Sequence, residues 1–227
     1  AERFPNTVQR IVSDGHELAC HGYAHEHVFS QTREKFYEDV VRCKDLLEDI
    51  SGSAIYGYRA PYFSLSPEGL WPLQVLGDIG FEYDSSIYPS GAYRYGVEGL
   101  LSGPSVVDLG NGQDIIELPA STFTFMGRKW PVAGGGHHRI LPSFMLKALI
   151  RTTVRKNKNF ISYFHPYEID AYEFEHIPVE VTFPIKLHQG IGRQGFEGKL
   201  RWLLGNISDF TLGRELAQRV RSRSGGR

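Results

Sequence analysis

Gly15-His16-Glu17-Leu18-Ala19-Cys20-His21-Gly22-Tyr23-Ala24-His25-Glu26-His27, read with Tyr58-Arg59-Ala60-Pro61-Tyr62, decides the fold. In both stretches a short apolar run ends in polar residues. Glu17 to Cys20 reads as a strand running into His21, and Ile55 to Tyr58 as a strand running into Arg59. Between them Phe36, Val40, Cys43, Leu47 and Ile50 recur at steps of four and three, one face of a helix from Thr32 to Ile50 that Ser51-Gly52 closes. Upstream, Thr7 to Ser13 look like the end of a helix closed by Asp14-Gly15.

The alternation continues downstream. Ser66-Pro67-Glu68 supplies a cap, a first-turn proline and an acid ahead of a Leu70, Leu73, Leu76 stripe that stops at Gly80. Ile115 to Leu118 is a strand candidate, Pro142 to Lys156 a helix, and Phe160 to Phe164 an apolar strand-like run ending at His165. Helices and strands that alternate, with polar residues at the strand ends, predict a parallel α/β sheet or barrel whose active groups gather at one face. After Tyr172 the pattern loosens. Gly190, Gly192, Gly195 and Gly198 precede a helical Leu200-Leu203-Leu204 stretch and an Arg-rich, Gly-ended tail expected to be solvated, its last residues disordered.

Composition bounds the function. With 227 residues, 41% hydrophobic and 13% aromatic, the chain can bury the core of one barrel-sized domain. A formal net charge of -1 supplies no global field toward nucleic acid or an anionic membrane, so partners are argued from local sites. Cys20 and Cys43 are too few for a disulfide scaffold, form no CxxC spacing, and read as small buried hydrophobes. No apolar stretch reaches the roughly 18 residues of a membrane span. Ala1 to Asn6 show neither an initiator Met nor a basic-then-apolar leader, and the start reads as cut.

Four local patterns carry chemistry. His21 and His25 stand four residues apart beyond a strand, a spacing that lets both imidazoles face one metal if the turn is helical; surface or core histidines are the bland alternative, and His27 nearby dilutes the signal. Arg59 at a strand end could orient a carboxylate through its planar fork, while Pro61 could aim the following N–H at a fixed point; an ordinary turn and a surface ion pair explain them equally. His165 leaves an apolar strand where a general acid or base is commonly presented, and a satisfied core histidine fits the position as well. Asp84 follows a strand-like stretch and could hold such a histidine charged, or could cap a turn.

Taken in this order, the four pieces resemble the polysaccharide deacetylase family, the NodB-homology domain of carbohydrate esterase family four. More closely, GHELACHGYAHEH, YRAPYFSLSP, YDSSIYP, the glycine run before HHRILP, and YFHPYEID look like the exopolysaccharide-locus subfamily associated with exosortase (PEP-CTERM) systems. The resemblance covers nearly the whole chain. It implies a distorted (β/α) barrel, with residues 1–172 as the deacetylase domain and 173–227 as an extension packing on it. It implies a divalent metal on His21 and His25, zinc foremost, with Co, Ni or Mn as alternatives. Arg59 would position a catalytic Asp, and the Tyr62 backbone N–H beside Pro61 would stabilise an oxyanion. Asp84 would tune His165, the acid that protonates the departing amine, and His27 falls outside the motif.

Two departures from the family follow. Its opening Asp pair, source of the catalytic base and a third ligand, has no counterpart, so the resemblance implies an N-terminally truncated domain lacking its first strand. Such a chain is expected to be close to inactive and to present an unpaired edge, with poor solubility or dimerisation through that edge. Ser162 stands where the family carries an apolar residue, a role Tyr163 or Ile161 would take over.

The expected substrate is an N-acetylated polysaccharide or oligosaccharide, deacetylated during exopolysaccharide biosynthesis in the cytoplasm, with Tyr62, Tyr88, Tyr93 and Trp130 as aromatics for sugar stacking. Gly134-Gly135-Gly136-His137-His138-Arg139 reads as a substrate-side loop rather than a second metal site, because adjacent histidines do not easily converge on one ion. Two competing readings are a glycan-binding scaffold that has lost turnover and a zinc peptidase. The peptidase is opposed by the lack of an HExxH motif.

Overall fold

The structure, a computed structural model, describes residues 1–65, 69–89, 103–207 and 209–224. By contacts it divides into two compact units, Ala1–Pro119 with Thr211–Arg227, and Ala120–Phe210. The first unit holds helix α1 (Pro5–Ser13), helix α2 (Arg33–Ser51), strand β1 (Gly57–Tyr58), helix α3 (Trp71–Ile79), strand β2 (Tyr83–Asp84), strand β3 (Ser105–Asp108) and strand β4 (Asp114–Glu117).

Local chemistry sets these helices. Thr32 caps α2 by accepting the Lys35 N–H at 3.3 Å, and Gly52 closes it in the left-handed region at φ +66°, where a residue without a Cβ is unstrained. The expected face is the buried one, with Phe36, Val40 and Cys43 against the sheet core. Helix α3 buries Leu73, Val75 and Leu76 and ends at Gly80, φ +96°. Its expected cap at Ser66-Pro67-Glu68 lies outside the described residues.

The sheet runs in the order β1-β2-β4-β3, with β1, β2 and β4 parallel and β3 antiparallel to β4. The strand expected over 17–20 shrinks to one paired residue. Cys20 bridges Tyr58 in parallel, its N–H donating to the Gly57 carbonyl at 2.8 Å and its carbonyl accepting from Arg59 N at 2.9 Å. Gly57 is required where it stands, since a Cβ there would lie 2.1 Å from the Tyr83 ring. In the core, Phe36 meets Tyr58 and Trp71 edge-on at 5.7 and 5.6 Å.

The Arg-rich segment Gly213–Ser224 is an ordered helix of the first unit that buries Ala217 and leaves residues 221–224 exposed. Charge pairing explains its order. Arg214 donates to both carboxylate oxygens of Glu82 at 3.0 and 3.1 Å and lies over the Tyr56 ring, while Arg221 pairs with Asp114 at 2.6 Å. Residues 225–227 lie outside the description.

The second unit holds strands β5 (Thr122–Phe125) and β6 (Arg128–Pro131) and helices α4 (Gly135–Ile140), α5 (Ser143–Asn157), α6 (Glu173–His176), α7 (Phe183–Gly190) and α8 (Arg193–Asn206). The β5–β6 hairpin turns on Met126-Gly127, both left-handed. Val132, Leu146, Ile150 and Leu203 form its core. The strand expected over 160–164 is extended chain with a single parallel bridge, Tyr163 to Gly134. The glycine run expected to be a substrate-side loop instead opens α4, where packing demands glycine: a Cβ on Gly135 would sit 1.8 Å from Glu168 Oε2. His138 is buried with Nε2 2.8 Å from the Val132 carbonyl, and Arg139 is buried on Glu168.

Phe36→Ala should cost about 3–5 kcal/mol through the cavity it leaves, whereas Tyr37→Ala, on the exposed side of the same helix, should stay within about 0.5 kcal/mol. The midpoint of urea denaturation for the two variants checks the assignment of the buried face.

Candidate functional site

Parallel pairing places Cys20, Tyr58, Asp84 and Glu117 side by side across the sheet, so the residues that follow them, His21, Arg59 and Ser85, leave from the same edge. The C-terminal edge of a parallel sheet is where α/β proteins assemble sites.

His21 and His25 come together there, their rings 5.0 Å apart and edge to face. The turn between them is not helical, which corrects the route expected from the four-residue spacing. Gly22 (φ +72°) and His25 (φ +57°) are both left-handed. The Asp39 carboxylate, from α2, accepts the Tyr23 N–H at 2.9 Å and the Ala24 N–H at 2.8 Å. A left-handed residue with a Cβ costs about 1–2 kcal/mol, and two hydrogen bonds to a charged group, about 1.5–3 kcal/mol each, offset it. His21 Nδ1 lies 2.7 Å from the Arg59 carbonyl. A carbonyl only accepts, so Nδ1 carries a proton, and in the neutral ring Nε2 is then the nitrogen with the lone pair, the form in which imidazole binds a metal.

Two converging imidazoles, one with its tautomer fixed, fit two positions of a tetrahedral divalent site. Among the described residues no group of three or more His, Cys, Asp or Glu gathers around a common point.

Beside the pair, Arg59 donates Nε to the Ser85 carbonyl at 2.9 Å and Nη2 to Ser85 Oγ at 2.7 Å, and Ala60 N donates to Ser86 Oγ at 2.7 Å. These bonds tie the Arg59–Tyr62 loop to the segment after Asp84. Pro61 is buried and opens a single 3-10 turn, Pro61–Phe63. Tyr62 sits second in that turn at φ +59°, where its N–H has no intrahelical acceptor. Its ring is 49% exposed, edge-on to His25 at 5.0 Å and stacked on His27 at 4.2 Å. His27, outside the expected motif, is therefore part of this surface.

Asp84 is fully buried and accepts from Ser86 Oγ at 2.5 Å and Ser86 N at 3.1 Å. Glu117, equally buried, accepts from Ile87 N at 3.0 Å through Oε1, and its Oε2 meets no donor. Burial pushes both carboxyl groups up; the hydrogen bond between them lowers Asp84 and raises Glu117 further. One proton held on Glu117 and donated to Asp84 explains the oxygen that otherwise lacks a partner. Tyr88 is a correction to the stacking aromatics: it is 0% exposed and packs edge-on to Phe63 at 5.5 Å, which leaves no face for a sugar. Tyr93 lies outside the described residues.

The second unit carries Trp130 and His165. Trp130 is half exposed on β6. His165 is exposed; its backbone N–H donates to Glu168 Oε2 at 2.9 Å, and its ring stacks on Tyr167 at 5.1 Å. Glu168 is itself buried against Arg139 Nε at 3.1 Å, so a buried ion pair anchors the His165 loop. Ser162 donates Oγ to the Ala133 carbonyl at 2.6 Å, which satisfies the hydroxyl at the position expected to be apolar.

Asp39, Glu117 and the Ser85-Ser86 pair went unnoticed in the sequence. An acid inside the apolar Ile115-Ile116-Glu117-Leu118 run was the available signal for Glu117.

Comparison with known proteins adds relatives. Residues 85–217 match the model of a family described as a domain of unknown function (DUF3473), and residues 1–83 match the polysaccharide deacetylase model. A peptidoglycan deacetylase of Helicobacter pylori is 33% identical over 86 residues, 38% of this chain and 28% of that protein. A peptidoglycan deacetylase-like protein of Gibberella zeae is 28% identical over 125 residues, 55% of this chain and 33% of that one. The chain thus spans about a third or less of the length of these curated relatives. A crystal structure from Mycobacterium smegmatis, assigned as a polysaccharide deacetylase, aligns with a TM-score of 0.64 at 20% identity, covering 99% of this chain and 69% of that one. The fold is therefore the expected mixed α/β type of the NodB-like deacetylases.

Two variants test the site. A carboxyl whose folded pKa is raised keeps its stabilising proton below the unfolded value and loses that contribution as pH rises through the folded one. Glu117→Gln should therefore show no advantage near pH 4 and a melting temperature increasingly above that of the parent toward pH 8; a constant difference across that range contradicts a protonated Glu117. Asp39→Ala should lower stability by about 1–3 kcal/mol, read by calorimetry of thermal unfolding.

Proposed function

We propose, from the premise that this chain belongs to the DUF3473 family and carries a polysaccharide deacetylase segment over its first 83 residues, that it acts in metal-assisted N-deacetylation of an N-acetylated glycan. The observation that carries the reading is the His21–His25 pair at the sheet edge, with His21 Nδ1 held by the Arg59 carbonyl. The names of the two curated relatives, both peptidoglycan deacetylases or like them, support a glycan bearing N-acetyl groups.

His21 and His25 would hold the metal. Zinc suits nitrogen donors in tetrahedral geometry, with Co, Ni or Mn as alternatives. When bound, the ion supplies Lewis-acid polarisation of the acetamide and a lowered pKa for its water. The chain supplies the rest. As water adds to the acetamide carbon, charge develops on the carbonyl oxygen, and the Tyr62 N–H is the donor for it. Arg59, fixed on Ser85, holds that loop in place. The C–N bond then breaks, releasing acetate and a free amine, and the amine nitrogen needs a proton. His165 is assigned that role on the family pattern. Exopolysaccharide biosynthesis in the cytoplasm, and the exosortase-associated subfamily, are finer proposals resting on the quoted motifs.

A second reading, glycan binding without turnover, is favoured by one observation: no third ligand joins the histidine pair among the described residues.

The test is acetate release from tetra-N-acetylchitotetraose by the zinc-supplemented chain. The deacetylase reading expects release that EDTA abolishes and that His165→Ala lowers about 10²–10⁴-fold. Binding of zinc and oligosaccharide with no release establishes the second reading instead, and release indifferent to EDTA contradicts metal assistance.

A further inference from the structure

We propose that the cleft of about 410 Å³ lined by Phe29, Gln31, Arg33, Ser64 and Trp71 is a sugar subsite, which holds a neutral pyranose of the glycan beside the residue that is deacetylated. The inference rests on the deacetylase reading and adds to it a second point of contact with substrate. Small-molecule sites typically enclose about 300–1,000 Å³, so the cleft has room for a sugar ring.

Its place in the fold comes first. The lining residues belong to the starts of α2 and α3 and the loops before them, the segments that follow Cys20 and β1. The cleft therefore opens on the same sheet edge as the histidine pair. A continuous row of rings joins the two places: His21 to His25 at 5.0 Å, His25 to Tyr62 at 5.0 Å, Tyr62 to His27 at 4.2 Å, and His27 to Phe29 at 5.1 Å. A glycan with one acetamido group at the histidines would lie along this row and reach the cleft with a neighbouring sugar.

The lining matches a pyranose, which has an apolar C–H face and a rim of hydroxyls. Phe29, 53% exposed, and Trp71 offer aromatic surface in a concave setting. A single exposed Phe would be ordinary; two aromatics sharing a cleft with polar side chains are not. Of those polar groups, Arg33 and Gln31 keep capacity to bond. Arg33 uses Nη1 on Gln74 and Nη2 on Asp78, both at 3.3 Å, so the guanidinium is held in position while most of its five N–H donors remain available. Ser64, buried at the wall, accepts the Val28 N–H at 3.0 Å through Oγ and so holds the cleft's inner side. Gln31 donates through Nε2 to the His27 carbonyl at 3.4 Å, which leaves Oε1 to accept. Among the described residues, no acidic side chain lines the cleft.

Calorimetric titration of the full chain with tetra-N-acetylchitotetraose tests the proposal. Phe29→Ala should weaken binding about five- to tenfold and Phe29→Tyr should stay within about twofold of the parent, as loss and retention of one stacking face require. Arg33→Gln, as a second variant, should also weaken binding about tenfold or more, as the loss of one hydrogen bond to a charged donor requires. Unchanged zinc affinity and circular dichroism confirm that the variants are folded. Affinity within twofold of the parent in both Phe29→Ala and Arg33→Gln, or no binding by the parent, overturns the subsite. Acetate release and its sensitivity to EDTA report separately on the deacetylase reading, so an intact reaction with an indifferent Phe29 removes the subsite alone.

Discussion

Register is the constraint on which the first unit depends. Parallel pairing aligns Cys20, Tyr58, Asp84 and Glu117 in one row, and a strand two residues long leaves no room for the row to slip. Everything chemical in that unit is one residue or one turn beyond it. The register is fixed from both sides by packing: Phe36 and Phe81 close on Tyr58, while the Tyr83 ring covers the space that Gly57 leaves open.

From that row the histidine turn is built by trading strain against charge. His25 takes a left-handed conformation that a side chain disfavours, and Asp39 repays it through two short bonds to backbone N–H groups. The consequence is an imidazole pair set by α2 and the sheet rather than by its own loop. Deeper in the sheet, Asp84 and Glu117 sit side by side with no water-exposed surface; sharing one proton, the pair keeps a single negative charge below Arg59 and Ser85. The second unit repeats the device in another form, since the Arg139–Glu168 ion pair lies under the backbone of His165.

Much of this was legible from sequence, and the rest for identifiable reasons was not. Helix α2 announced its face and its Gly52 stop, and each sits where periodicity and capping rules place it. The strand ends at His21, Arg59 and Asp84 were visible because apolar runs stop there. The segments over 17–20 and 160–164 read as strands but pair through single bridges, because alternation reports burial and not how many ladder bonds a neighbour can offer. The β5–β6 hairpin was hidden by its turn: Met126-Gly127 lacks the Asn or Asp that usually marks such a loop. Tyr88 looked like a surface aromatic because tyrosine is ambivalent, and only packing on Phe63 places it inside. Asp39 is one of many acids on α2, and its role depends on a turn sixteen residues away.

The account stands on His21 and His25 sharing one divalent cation. X-ray absorption at the zinc edge of the zinc-loaded chain measures this most directly. The account predicts a shell containing two imidazole nitrogens at about 2.0–2.1 Å, with one of them lost in His21→Ala and one in His25→Ala. A shell without imidazole, or one that neither substitution alters, contradicts it.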